Sequence, residues 1–215
     1  MHFKVLLIME NKNDYIEDLK VIKRVMEESS RFLSLSGLSG LFTGLIALAG
    51  AAAAVYLVPG GKCLIPGFEG TVSPGNLKIA FAILSAVVVV LALAVALFFS
   101  YRNAVKKGQK MWTATSQRML VNLFVPMVTG GLLIILAAHR GYYEAIIPFM
   151  LIFYGLGLVN AGKFTYGEIF WLGLTEILAG LLAAVFTPYA LLLWCVGFGL
   201  LHIVYGTFMY RKYER

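Results

Sequence analysis

The sequence predicts an all-α polytopic bundle of six transmembrane helices preceded by a short N-terminal amphipathic helix. Composition is the first reason: 60% of the residues are hydrophobic and only 13% are charged, with a mean hydropathy of +0.83. Soluble globular domains are about 45–50% apolar and about 25% charged. The second reason is distribution, because the apolar residues gather into six runs near the ~20 residues that cross a bilayer at 1.5 Å per residue. The chain divides accordingly into an N-terminal segment, 1–31, and a membrane domain, 32–215.

Met1 to Ile8 holds an apolar run too short for a signal sequence, and no small-residue cleavage site follows it. Residues 13–31 place Ile16, Leu19, Ile22, Val25 and Met26 at helical spacing, with acidic and basic residues between them. That pattern is an amphipathic helix, lying on the membrane surface or packed on the protein's own end.

The expected spans are 33–58, 77–100, 117–138, 145–161, 169–187 and 189–209. Pro126 and Pro148 fall where a membrane helix is kinked rather than abolished. The segment between the first two spans contains Pro59, Pro66 and Pro74 and is rich in glycine, so it reads as a cap or flap. The span from Ile79 to Phe99 has Ser85 as its one polar residue and should lie at the lipid-facing periphery. Thr187-Pro188-Tyr189 ties the last two spans into a hairpin.

Basic residues set the expected orientation. In an even-span arrangement all but three of the 18 Lys and Arg residues lie on the side of the chain ends, the exceptions being Lys62, Lys78 and Arg140. By the positive-inside rule both termini are cytoplasmic. The same distribution accounts for the net charge of +7 without a nucleic-acid partner. The partner implied is the lipid bilayer.

Two spans each carry one ionisable residue in a common frame, Gly173-x-x-Glu176-x-x-x-Gly180 and Gly199-x-x-His202-x-x-x-Gly206. Counted from the turn at Pro188, Glu176 and His202 lie at nearly one depth, and glycines flanking each let another helix come close. A lone charge at a span centre costs roughly 2.5–3.5 kcal/mol on insertion scales, which favours contact between the two. If the glycine faces of the two helices meet, the side chains touch. Asn122, Asn160, Thr175 and Tyr205 are expected in the same half and extend the candidate proton or solute site. Gly37, Gly40 and Gly44 give the first span the same spacing, suited to packing inside the bundle or to a homo-oligomer.

Other chemistry lacks residues. Neither HExxH, a P-loop nor GxGxxG occurs, and no Ser/His/Asp arrangement is evident, so no enzyme is expected. Cys63 and Cys195 are far apart and form no CxxC, which supports no metal site. A two-histidine haem would need both ligands at one depth, yet His139 belongs at the outer boundary and His202 deeper, so no cofactor is expected.

The run Ser30 to Gly40, the segment Leu158 to Lys163, and the tail Gly197 to Gly206 with its Arg-Lys-Tyr-Glu-Arg end resemble a family of small multi-pass membrane proteins from bacteria of the Bacteroidetes type. The resemblance implies a bacterial inner-membrane setting and similarity around Asn160, Glu176 and His202. It implies no activity. Two functions stay open: a small transporter or channel-like protein moving a proton, ion or small solute through the Glu/His pair, or a non-catalytic membrane partner or sensor in which the pair is structural.

Overall fold

A computed structural model describes Leu19, Phe32 and residues 34–57 and 77–215. The expected amphipathic helix and the Pro/Gly-rich segment lie outside the described residues. Six helices are long and apolar enough to cross a membrane. We number them α1 (Gly37–Leu57), α2 (Leu77–Lys106), α3 (Ala114–His139), α4 (Ile146–Ala161), α5 (Gly167–Val185) and α6 (Thr187–Tyr213). No strand occurs among the described residues.

Helix ends follow local chemistry. α3 opens on a capping box in which Thr113 Oγ1 accepts the Ser116 N–H at 3.1 Å and Ser116 Oγ accepts the Thr113 N–H at 2.8 Å. Beyond α2 and α3 the chain turns at Gly108 (φ 63°) and Gly141 (φ 85°), left-handed conformations that glycine adopts without strain. α4 is flanked by single 3₁₀ turns at Tyr143–Ala145 and Gly162–Phe164, which lengthen its apolar stretch to 22 residues.

The first span starts later than periodicity suggests. Ser34 to Ser36 are non-helical and buried or nearly so, and side chains satisfy their backbone. Asn103 Nδ2 donates to the carbonyls of Ser34 (3.2 Å) and Leu35 (3.3 Å). Glu214, from the end of α6, accepts the Gly37 N–H and the Ser36 hydroxyl, so an acidic side chain caps the positive end of α1. The preceding residue described, Phe32, is tied to the 3₁₀ turn after α4, its N–H reaching the Phe164 carbonyl at 2.7 Å and its carbonyl the Thr165 hydroxyl at 2.7 Å.

Packing groups the helices in threes. α1 lies between α2 and α6, and α4 lies between α3 and α5; the two groups meet where α5 and α4 face α6. α2 packs on α1, where Phe42 stacks on Phe99 with ring centroids 5.0 Å apart, and the most apolar stretch of α2 is otherwise exposed, as expected of a peripheral helix. Near the end that carries the C-terminus, Leu158, Tyr166, Ile169, Leu172 and Met209 form a shared core cluster across the seam. Nearer the other end, Leu151, Ala179, Ala183 and Ala190 do the same.

Glycine sets the spacing within each group. A methyl added at Gly37, Gly44 or Gly206 would overlap backbone of the facing helix across α1–α6, and one at Gly155 or Gly173 would do so across α4–α5. These contacts correct the expectation that the two ionisable frames face each other. Gly173 and Gly180 face α4, while Gly199 and Gly206 face α1. Each glycine frame therefore binds its helix into its own group, and the ionisable side chains project across the seam between them.

Candidate functional site

Glu176 stands at the middle of α5, nine residues from either end of a 19-residue helix, and is 0% exposed. His202 of α6 is 4% exposed. The side chains meet at 3.4 Å between His202 Nδ1 and Glu176 Oε1. The close approach depends on a glycine outside both frames. A Cβ at Gly197 would lie 2.5 Å from Glu176 Oε2 and 2.6 Å from Leu151 Cδ2, so the carboxyl occupies the space that any other residue there would fill.

Gly197 belongs to a π-helix, Cys195–Leu201, that interrupts α6 between its α-helical segments Ala190–Trp194 and His202–Tyr213. Such wide turns carry one surplus residue and recur at functional sites. Here the turn bears both the small residue and the carbonyl used by His202. The ring Nδ1 lies 3.0 Å from the Gly197 carbonyl oxygen. A carbonyl only accepts, so Nδ1 carries the hydrogen. In the neutral ring Nε2 is then an acceptor, and the Tyr154 hydroxyl of α4, at 2.8 Å, donates to it. Tyr154 also stacks on His202 (centroids 5.5 Å apart) and packs at a tilt against Phe198 (5.0 Å), and Phe198 packs against Trp194 (5.2 Å).

The pair is chemically unequal. Both nitrogens of His202 have partners, whereas both oxygens of Glu176 are buried without a hydrogen bond. A carboxyl in that state is costly in either protonation form: ionised, it is a poorly compensated charge, and neutral, it is an unpaired donor.

The wider network expected from sequence does not assemble. Asn122 Nδ2 donates to the Arg118 carbonyl at 2.8 Å, within its own helix. Asn160 Nδ2 does the same with Leu156 at 3.0 Å, while its carbonyl oxygen accepts Lys163 at 3.0 Å. Thr175 bonds back to the Leu172 carbonyl at 2.8 Å. Tyr205 packs against the Leu158, Tyr166 and Met209 cluster, not against the pair. A polar side chain near a helix end or facing a neighbour's edge takes its own helix's carbonyl four residues back, the nearest acceptor available in hydrocarbon. Tyr154 and Gly197 are the residues in contact with the pair that sequence reasoning missed. A tyrosine in the body of an apolar span, away from the interface belt, was the available sign of the first.

A second polar cluster lies at the end that carries the C-terminus. Glu168 accepts Lys212 at 2.6 Å and the Tyr213 hydroxyl at 2.9 Å, and Lys107 donates to the Tyr166 hydroxyl at 3.1 Å. Partial burial, with Tyr213, Glu214 and Glu168 nearby, pushes the Tyr166 phenol up to about 12. Burial lowers Lys107 despite the attraction of Glu214. These groups fasten α2, α5 and α6 at one end, well separated along α5 from Glu176.

No group of three or more His, Cys, Asp or Glu able to hold a metal ion occurs among the described residues. No protein-family profile, curated protein or solved structure matches the chain.

Proposed function

We propose that the protein is a small proton-coupled transporter or channel-like protein in which Glu176 binds the proton and His202 is its titratable neighbour. The carrying observation is the orphaned carboxyl: both Glu176 oxygens are buried at mid-helix without a hydrogen bond. A group kept at a cost to stability, at the seam between two helix groups, is a group kept for function. Rocking of one group against the other would expose it alternately to the two sides. Reconstitution into liposomes containing a pH-sensitive dye tests this directly. Wild-type protein should give voltage-driven proton flux that Glu176→Gln abolishes while inserting normally; equal flux from both would sink the reading.

The burial of both partners favours a second function, a membrane sensor that changes shape with proton load and conducts nothing. It predicts a pH-dependent change in α6 accessibility without flux.

We also propose, from the distribution of basic residues and the family resemblance, that both termini face the cytoplasm in a bacterial inner membrane. Lys110 and Arg140 are exposed at opposite ends of α3. Impermeant labelling of intact cells should reach Lys110→Cys poorly and Arg140→Cys well, and the reverse pattern would invert the topology.

A further inference from the structure

The proton-binding reading leaves the π-helix of α6 unused, although it supplies the acceptor that His202 now holds. The Nδ1–H lies 3.0 Å from the Gly197 carbonyl oxygen and 3.4 Å from Glu176 Oε1, so two acceptors compete for one hydrogen. We infer that His202 is a two-position donor, and that transfer of its Nδ1–H bond from the Gly197 carbonyl to the Glu176 carboxylate converts the π-helix at Cys195–Leu201 into α-helix. The inference rests on proton binding at Glu176 and names the movement that binding controls.

With a proton on Glu176 the carboxyl is the weaker acceptor, and the Gly197 carbonyl keeps the bond. Loss of that proton leaves an anion, whose hydrogen bonds are roughly twice as strong as neutral ones. The imidazole then turns to Oε1, and the Gly197 carbonyl keeps only the backbone pairing of the π turn, the N–H five residues ahead. No longer held by the imidazole, it exchanges that bond for the N–H four residues ahead, that of Leu201, which is the commoner α-helical bond. The surplus residue moves toward Trp194, turning the segment Ala190–Trp194 by about 100° and sliding it by about 1.5 Å, the increment of one helical residue. The His202–Tyr213 segment, locked to α1 through Gly206, stays in place.

Tyr154 is a positioning residue in this scheme. By donating to Nε2 it holds the ring hydrogen on Nδ1, between the two competing acceptors. Among the described residues nothing else charged bears on the choice. α4 presents Tyr154; the described part of α1 has Tyr56, near its other end, as its one titratable side chain; α3 carries Arg118 and His139 toward its two ends; on α5 the other acid, Glu168, is held by Lys212 and Tyr213.

Fluorotryptophan labelling of the full chain in lipid nanodiscs tests the switch. Trp194 adjoins the π-helix and packs on Phe198, while Trp112 and Trp171 are exposed and serve as controls. Infrared difference spectra, assigned with Glu176→Gln, report carboxyl protonation independently. Between about pH 5 and pH 9, the Trp194 fluorine resonance should move with the same midpoint as the Glu176 carboxyl band. The controls should stay still, and Glu176→Gln should freeze the resonance. Tyr154→Phe should leave the carboxyl band titrating but uncouple it from Trp194. A carboxyl band that titrates while Trp194 stays fixed overturns the switch and leaves proton binding standing. A band that never titrates overturns both. Movement of Trp194 that survives in Glu176→Gln also overturns the switch, because its driver would lie elsewhere.

Discussion

Replacing Glu176 with leucine should make the bundle more stable. Removing one member of a buried pair ordinarily strands the other, but here His202 keeps both its partners, Tyr154 and the Gly197 carbonyl, when Glu176 is gone. The orphan is Glu176 itself. An unsatisfied buried polar group costs about 1–3 kcal/mol, and insertion scales put an acidic residue at a span centre about 3 kcal/mol above leucine. Against this stands the shape change, since leucine branches where glutamate is straight. Volume-conserving swaps cost less than about 1.5 kcal/mol, and Glu176→Met supplies an unbranched control. The net expectation is a gain of about 1–3 kcal/mol, worth roughly 2–4 °C in melting temperature per kcal/mol for a chain of this size. Thermal unfolding of wild type, Glu176→Leu and Glu176→Met in one detergent measures it. If both variants lose about 1 kcal/mol or more, the carboxyl is a structural tie and the proton-binding reading loses its foundation.

Three further outcomes follow from the packing. Gly206→Ala should lower stability by about 2 kcal/mol or more, because the methyl meets backbone of α1, whereas Gly131→Ala, open on all sides, should raise it by up to about 1 kcal/mol; detergent unfolding curves that fail to separate the two would refute the assigned α1–α6 contact. Glu214→Ala should cost about 1 kcal/mol by uncapping α1, checked by the same curves and by faster hydrogen exchange at Gly37. In an ultraviolet titration, the difference between wild type and Tyr166→Phe should show a phenol ionising near about 12, against an ordinary value of 10.0.

Much of the fold was legible because hydrocarbon imposes its own length. All six spans and their order follow from apolar runs, and the errors fall at helix ends, as with Ser34 to Ser36, where an unforeseeable partner, Glu214, replaces a turn of helix. The contact between Glu176 and His202 was legible from depth, since a hairpin fixes relative height. Its azimuth was not. Counting glycines at helical spacing put both ionisable frames on the facing sides of α5 and α6, and each frame instead faces a different helix. A π-helix lets the error coexist with the correct contact, because one surplus residue shifts the phase between Ala190–Trp194 and His202–Tyr213, and no residue pattern in Cys195 to Leu201 announces it. The asparagines failed for a simpler reason. A chemically apt side chain at the right depth still bonds locally when its own helix offers a carbonyl first.

The location of the pair bears on which parts of the bundle can move. Across α1–α6 and α4–α5 the helices touch backbone to backbone at glycine, and sliding either contact would drive main-chain atoms together. Across α5–α6 the central contact is between side chains, an orphaned carboxyl against a π turn, and the same turn is held to α1 where Gly44 faces the Gly199 carbonyl. At the end that carries the C-terminus, Glu168, Lys212 and Tyr213 tie the two groups together, and Phe32 bonds to the turn after α4. At the other end the turn through Thr187, Pro188 and Tyr189 joins α5 to α6 covalently, so the pair lies between two ties.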